Sequence, residues 1–164
     1  MSLSAPDESA VTAQLGRDPR GAVDVAHRCG CGLPDVIRTL TRLPDGTPFP
    51  TTYYLTCPRA TTAVSTLEAS GLMRAMTDRL AADADLRAGY ETAHRAYLAD
   101  RAELGEVPEI EGVSAGGMPD RVKCLHVLVA HALAAGPGVN PLGDEALALL
   151  PAWHTAGPCV QVDG

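Results

Sequence analysis

Apolar and polar residues alternate in the first third of the chain, as they do in half-buried β-strands. The alternation runs over residues 22–27 and again over residues 36–43, and residues 51–57 are rich in β-branched and aromatic side chains. Between the last two segments lies Asp45-Gly46, a pair favoured in turns that need a positive φ. We therefore predict a small antiparallel sheet of two or three strands in the N-terminal third.

The spacing of apolar residues changes to a helical period at Pro58. Proline suits the first turn of a helix, because its missing N–H has no intrahelical partner there, and Gly71 is expected to end this helix. Apolar residues then recur at helical spacing, which predicts further helices over residues 72–82, from residue 83 or 85 to about 104, and over residues 120–135 and 144–150. The fold class is therefore α+β: a mostly helical single domain of four to five helices with the small sheet.

The two ends of the chain carry little apolar pattern that could dock on a core. We expect residues 1–14 to form a disordered N-terminal tail and residues 153–164 a C-terminal tail. Residues 15–152 are expected to form the single domain, a length that can bury its own core.

The charge balance excludes some classes of function. The chain has 13 basic and 20 acidic residues and a net charge of −7, which argues against a nucleic-acid or anionic-membrane binder. No segment approaches the roughly 20 apolar residues of a membrane span. The N-terminus contains Asp7 and Glu8 and lacks the basic and apolar regions of a secretory signal, so we expect a cytoplasmic protein.

The chain has five cysteines, and in the cytoplasm thiols stay reduced. His27, Cys29 and Cys31 are spaced by two, so an extended backbone places all three on one face. Cys57 lies directly before the helix predicted from Pro58, where the helix dipole favours a thiolate.

Cys124 lies near the start of the helix predicted over residues 120–135. On that helix His126 is turned about 200° away from Cys124, so the two share one ion only if the helix begins later. His131 is on the face of Cys124 but about 10.5 Å further along the axis. We therefore expect one ligand from this helix, Cys124.

Together these positions predict a metal site. Its ligands are predicted to be Cys29, Cys57 and Cys124 with Cys31, and His27 or His126 are alternatives for the fourth ligand or for an outer contact. Thiolates suit zinc and iron–sulfur clusters alike, so the cofactor is predicted to be zinc or a [4Fe–4S] cluster. Cys159 has no neighbouring cysteine or histidine pair and is expected to take no part.

Three other interpretations stay open. Free cysteines are often plain core residues, and the protein would then be a non-catalytic protein-interaction module that offers its acidic middle to a partner. The glycine-rich turn before the last long helix could hold a small anion through Ser114, Gly116, Gly117, Arg121 and Lys123. Cys57 could also act as a nucleophile with His27, His94 or His126 as its base, and the sequence leaves open whether the chain is an enzyme.

Several short segments resemble a known family. They are His27-Arg28-Cys29, Pro48-Phe49-Pro50-Thr51, Leu55-Thr56-Cys57-Pro58, Lys123-Cys124-Leu125-His126 and Asn140-Pro141-Leu142-Gly143. They are similar to segments of the bacterial domain-of-unknown-function family 501, and the resemblance covers about residues 12–150. It implies no particular activity. It does imply that Cys29, Cys57, Cys124 and His126 belong to family motifs, whereas Cys31 falls at a freer position.

Overall fold

The computed structural model describes residues 2–162 and confirms the α+β class. Within these residues there are six helices, one more than the upper end of the prediction, and a three-stranded sheet near the N-terminus. In chain order the elements are α1 (Ala5–Leu15), β1 (Ala22–Arg28), β2 (Pro34–Thr39), β3 (Tyr53–Leu55), α2 (Pro58–Glu68), α3 (Leu72–Ala82), α4 (Ala84–Ala102), α5 (Leu125–Ala135) and α6 (Pro141–Leu149).

The sheet is antiparallel, with β2 between β1 and β3. Val36 of β2 pairs with His27 on one side and with Leu55 on the other. Since β1 and β3 both run antiparallel to β2, they run parallel to each other. The residues that follow His27 and those that follow Leu55 therefore leave the sheet at the same end.

Helix α5 forms the centre of the core. It contacts α6, β3 and α2, and apolar residues on all its sides are buried, as expected of a helix that is hydrophobic all round. Even His131 in this helix is fully buried. It accepts a hydrogen bond from the amide of Asn140 at 3.1 Å and stacks on the ring of Tyr53. Burial lowers the pKa of His131 to about 4, so this histidine is a neutral core residue.

The structure differs from the sequence-based expectation at both ends of the chain. Most of α1 (Ala5–Leu15) lies within residues 1–14, which were expected to be a tail; Ser4 caps this helix and Gly16 ends it in a left-handed conformation. Few apolar residues mark this helix because only Ala10 and Val11 are buried. The C-terminal segment, residues 153–162, contains no helix or strand, yet Trp153 and Cys159 pack against the core.

Helix α5 also begins later than predicted, at Leu125 instead of residue 120. The N–H groups of Lys123 and Cys124 both donate to the carbonyl of Gly116, which holds the preceding residues outside the helix. Cys124 is consequently the N-cap residue, with an extended backbone. No helix in residues 2–162 combines the length and the apolar character that are needed to cross a bilayer.

The close approach of α6 to α5 gives a first prediction. A Cβ added to Gly143 of α6 would lie 2.3 Å from the backbone oxygen of Leu128. We expect Gly143→Ala to lower the free energy of unfolding by about 1–3 kcal/mol, because backbone must move to admit the methyl group. Urea denaturation measures the loss.

The matched control is Gly89→Ala in α4. Its added Cβ would meet only the side chain of Pro141, at 3.3 Å, and alanine is the better helix former. We expect a change of less than about 1 kcal/mol. Equal losses in the two variants would contradict the packing described for Gly143.

Candidate functional site

Four cysteines from distant parts of the chain lie together beside the sheet. The sulfur of Cys31 is 4.0 Å from that of Cys159, although 128 positions separate them. The thiols of Cys29 and Cys31 affect each other's pKa, and so do those of Cys57 and Cys159, so each pair is adjacent. We call Cys29, Cys31, Cys57 and Cys159 the four-thiol cluster.

The register of the sheet places three of these thiols. Cys29 lies two residues after His27, and Cys57 lies two residues after Leu55, so both lie at the same end of the sheet. Cys29 also closes a tight turn: its N–H donates to the carbonyl of Leu33 at 2.9 Å. Cys31 lies within this turn and is thereby held next to Cys29.

The C-terminal segment delivers the fourth thiol. The side-chain amide of Gln14, in α1, donates to the sulfur of Cys159 at 3.3 Å and to the carbonyl of Pro34 at 2.6 Å. Arg59, in the first turn of α2, donates to the carbonyl of Gly157 at 2.9 Å. Contacts from two helices therefore hold Cys159 against the end of the sheet.

Burial and nearby N–H groups act in opposite directions on these thiols. Burial raises the pKa of Cys29, of Cys57 and, to about 11, of Cys159. At Cys31 burial also opposes ionisation, but the N–H groups of Leu33 and Cys159 and the two adjacent thiols together lower its pKa. Most of the cluster is therefore neutral by itself, and a bound cation would be needed to hold all four groups as thiolates.

A second group of potential ligands contains Glu68, Cys124 and His126. One ligand atom from each residue lies within 4.8 Å of the others. The Nδ1 atom of His126 is 3.2 Å from Oε1 of Glu68. The thiol of Cys124 and the charge of Glu68 raise the pKa of His126 to about 9, against the effect of burial. We call these residues the Glu–Cys–His cluster.

The two clusters lie by opposite ends of α2. Cys57 is the N-cap of this 11-residue helix and Glu68 is its last residue, so about 16 Å of helix separates them. The structure thus brings together Cys29, Cys31 and Cys57 of the predicted metal ligands. It places Cys124 in the Glu–Cys–His cluster. Cys159 lies with the other thiols, where Cys124 had been expected.

The predicted histidines also separate. The Nδ1 atom of His27 is 2.7 Å from Oδ1 of Asp35, whose side chain is buried, so this ring nitrogen is engaged within the sheet. His126 does join Cys124, because α5 begins after Cys124 and the extended backbone there removes the angular separation that a helix would impose.

The predicted anion site is arranged differently from the expectation. Ser114 is buried, and its hydroxyl lies 2.7 Å from Nδ1 of His94. The glycine turn does not lead directly into the helix. The first N–H of α5, that of Leu125, instead donates to Oε2 of Glu68 at 2.8 Å. The carboxylate of Glu68 therefore occupies the helix end where a bound anion was predicted. The residues predicted to hold that anion, besides Ser114, were Gly116, Gly117, Arg121 and Lys123.

Comparison with known proteins bears on the chain as a whole. The family model described as "Protein of unknown function (DUF501)" matches residues 25–148. The chain belongs to the DUF501 family. Searches of the curated proteins and of the solved structures found no match. Within this DUF501 chain the matched residues include the whole Glu–Cys–His cluster and three of the four thiols, and they end before Cys159.

Sequence reasoning missed Glu68 and Cys159. Glu68 carries no local signal, because its role depends on the packing of α2 against α5. Cys159 could have been suspected once Cys124 was paired with His126, since three clustered thiols then lack a fourth.

The contact between Cys31 and Cys159 gives a second prediction. We expect diamide to join them in a disulfide when the protein is free of metal. The two thiols lose two protons and two electrons, and diamide takes up both and becomes the hydrazine. A modest side-chain rotation suffices, because the sulfurs start 4.0 Å apart. Mass spectrometry of unreduced proteolytic peptides identifies the linked pair.

The matched controls are Cys159→Ser, which should abolish this crosslinked peptide, and Cys124→Ser, which should leave it unchanged. A disulfide that joins Cys124 to Cys29 or Cys57 would show that the assignment of thiols to the two clusters is wrong.

Proposed function

We propose that this protein binds one zinc ion through the four-thiol cluster and that the ion fastens the C-terminal segment to the sheet. The observation that carries the proposal is the 4.0 Å separation of the Cys31 and Cys159 sulfurs across 128 positions of sequence. Zinc–sulfur bonds of 2.3 Å in a tetrahedron set neighbouring sulfurs about 3.8 Å apart. The fold therefore brings these two thiols close to the spacing that one zinc ion requires.

The number and burial of the ligands support a structural ion. Cys29 and Cys57 are buried, and the two remaining thiols are partly covered. Four protein thiolates fill every position of a tetrahedral zinc ion and leave none for a substrate. A [4Fe–4S] cluster holds each thiolate on a different iron, so its ligand sulfurs lie further apart than sulfurs that share one ion. The Cys31–Cys159 pair is spaced as sulfurs that share one ion are, and the other two sulfurs would have to move closer to join it.

Such an ion would join three parts of the chain. They are the turn after β1, the start of α2 and the C-terminal segment, which has no helix or strand of its own. Zinc that binds only the folded chain adds its binding free energy to folding. We place the protein in the bacterial cytoplasm, where reduced thiols remain available to the metal.

The test is to purify the full chain without oxygen and to measure zinc, iron and labile sulfide. We expect one zinc ion that is held by four thiolates, and no sulfide. After chelation, Co²⁺ should restore an intense sulfur-to-cobalt absorption. Cys57→Ser and Cys159→Ser should lose this tightly bound ion, and the C-terminal segment should then become sensitive to protease.

Cys124→Ser is the matched control and should keep the ion. If Cys124→Ser lost the ion while Cys159→Ser kept it, the ligand set would be the one predicted from the sequence. A brown protein that contains sulfide would establish an iron–sulfur cluster instead. A folded chain that takes up neither Zn²⁺ nor Co²⁺ would overturn the proposal and favour a protein-interaction module with buried cysteines.

A further inference from the structure

We infer that the Glu–Cys–His cluster is a second metal site, which binds a divalent transition-metal ion and leaves one coordination position open. This site uses different residues from the four-thiol cluster and lies by the other end of α2. The inference therefore does not depend on the zinc ion proposed for the four-thiol cluster. Glu68 provides a carboxylate oxygen, His126 a ring nitrogen and Cys124 a sulfur. This mixture of donors suits Zn²⁺ and its spectroscopic substitute Co²⁺.

The spacing of the ligand atoms fits one small ion. An oxygen and a nitrogen that both bind zinc at 2.0–2.2 Å lie about 3.4 Å apart in a tetrahedron. Oε1 of Glu68 and Nδ1 of His126 are 3.2 Å apart, and the cluster as a whole spans no more than 4.8 Å between its ligand atoms. Small side-chain rotations therefore bring all three onto one ion.

The outer atoms of the same side chains are already held. Oε2 of Glu68 accepts the N–H of Leu125 at 2.8 Å, which leaves Oε1 directed at His126. On the histidine, Nε2 is 3.3 Å from the carbonyl of Thr61 and 3.3 Å from the hydroxyl of Ser65. With a metal on Nδ1, the proton resides on Nε2 and is donated to Thr61. Outer contacts of this kind fix ring orientation and tautomer in known metal sites.

Solvent reaches the Glu–Cys–His cluster. The side chains of His126 and Glu68 are 26% and 22% exposed, whereas Cys57 of the four-thiol cluster is fully buried. Three protein ligands with access to water match the open zinc sites that bind a water molecule or a small anion in the fourth position. An ion here would act as a Lewis acid on that bound group, which a four-thiolate ion cannot do.

The test is a titration of the chelated full-length chain with Co²⁺ and then with Zn²⁺. We expect two ions per chain, the second with the weaker absorption of a single thiolate. Cys124→Ser, His126→Gln and Glu68→Gln should each weaken the second ion at least about 10-fold, the lower end of what even outer contacts contribute. In Glu68→Gln the amide oxygen can still accept the N–H of Leu125, so that variant keeps the helix cap while it loses the charge.

The matched control is Glu111→Gln, which replaces an exposed glutamate outside the Glu–Cys–His cluster. It should bind two ions. Cys159→Ser should lose only the four-thiolate ion, so failure of one site is distinguishable from failure of the other. If all three cluster variants bind the second ion as the wild type does, or if no second ion binds, His126 and Glu68 form only an ion pair and the inference is overturned.

Discussion

Helix α5 is buried around its whole circumference, and the positions of both clusters follow from how it is covered. Seven of its 11 residues are buried. No single neighbour can shield such a helix, so α6, β3 and α2 each cover a different side. Covering by α2 brings Glu68 to the N-terminus of α5, beside Cys124. The contact between β3 and α5 holds β3 in place, and Cys57 follows two residues after the end of this strand. The Glu–Cys–His cluster and the four-thiol cluster thus both lie at the edge of the apolar core that surrounds α5.

The four thiols depend on a second constraint, the order of strands in the sheet. Because β2 lies between β1 and β3, the chain leaves both outer strands at the same end. This order alone brings the turn that contains Cys29 and Cys31 beside Cys57. The remaining thiol has no strand to guide it and is held instead by side chains, of which Gln14 contacts the sulfur itself. It is therefore the thiol whose position a bound ion would secure most.

Much of this arrangement is local and could be predicted from the sequence. The alternation over residues 22–27 and 36–43 marks two strands, and Pro58 marks the start of α2. The grouping of Cys29, Cys31 and Cys57 can be predicted from where these elements begin and end. Each cluster also contains one residue that the sequence did not indicate, Glu68 or Cys159. Each of these lies 56 or more positions along the chain from the cluster residues it contacts. No periodicity within one element encodes such a contact, because tertiary packing determines it.

The start of α5 shows how a small boundary error changes the chemistry. On a helix that began at residue 120, Cys124 and His126 would point away from each other. The carbonyl of Gly116 binds the N–H of both Lys123 and Cys124, and this holds the chain extended up to the N-cap. In that conformation Cys124 and His126 lie on one side, next to Glu68. The glycine turn therefore does something that an anion site does not explain. It moves the start of α5 to Leu125, which lets the thiol of Cys124 and the imidazole of His126 lie together.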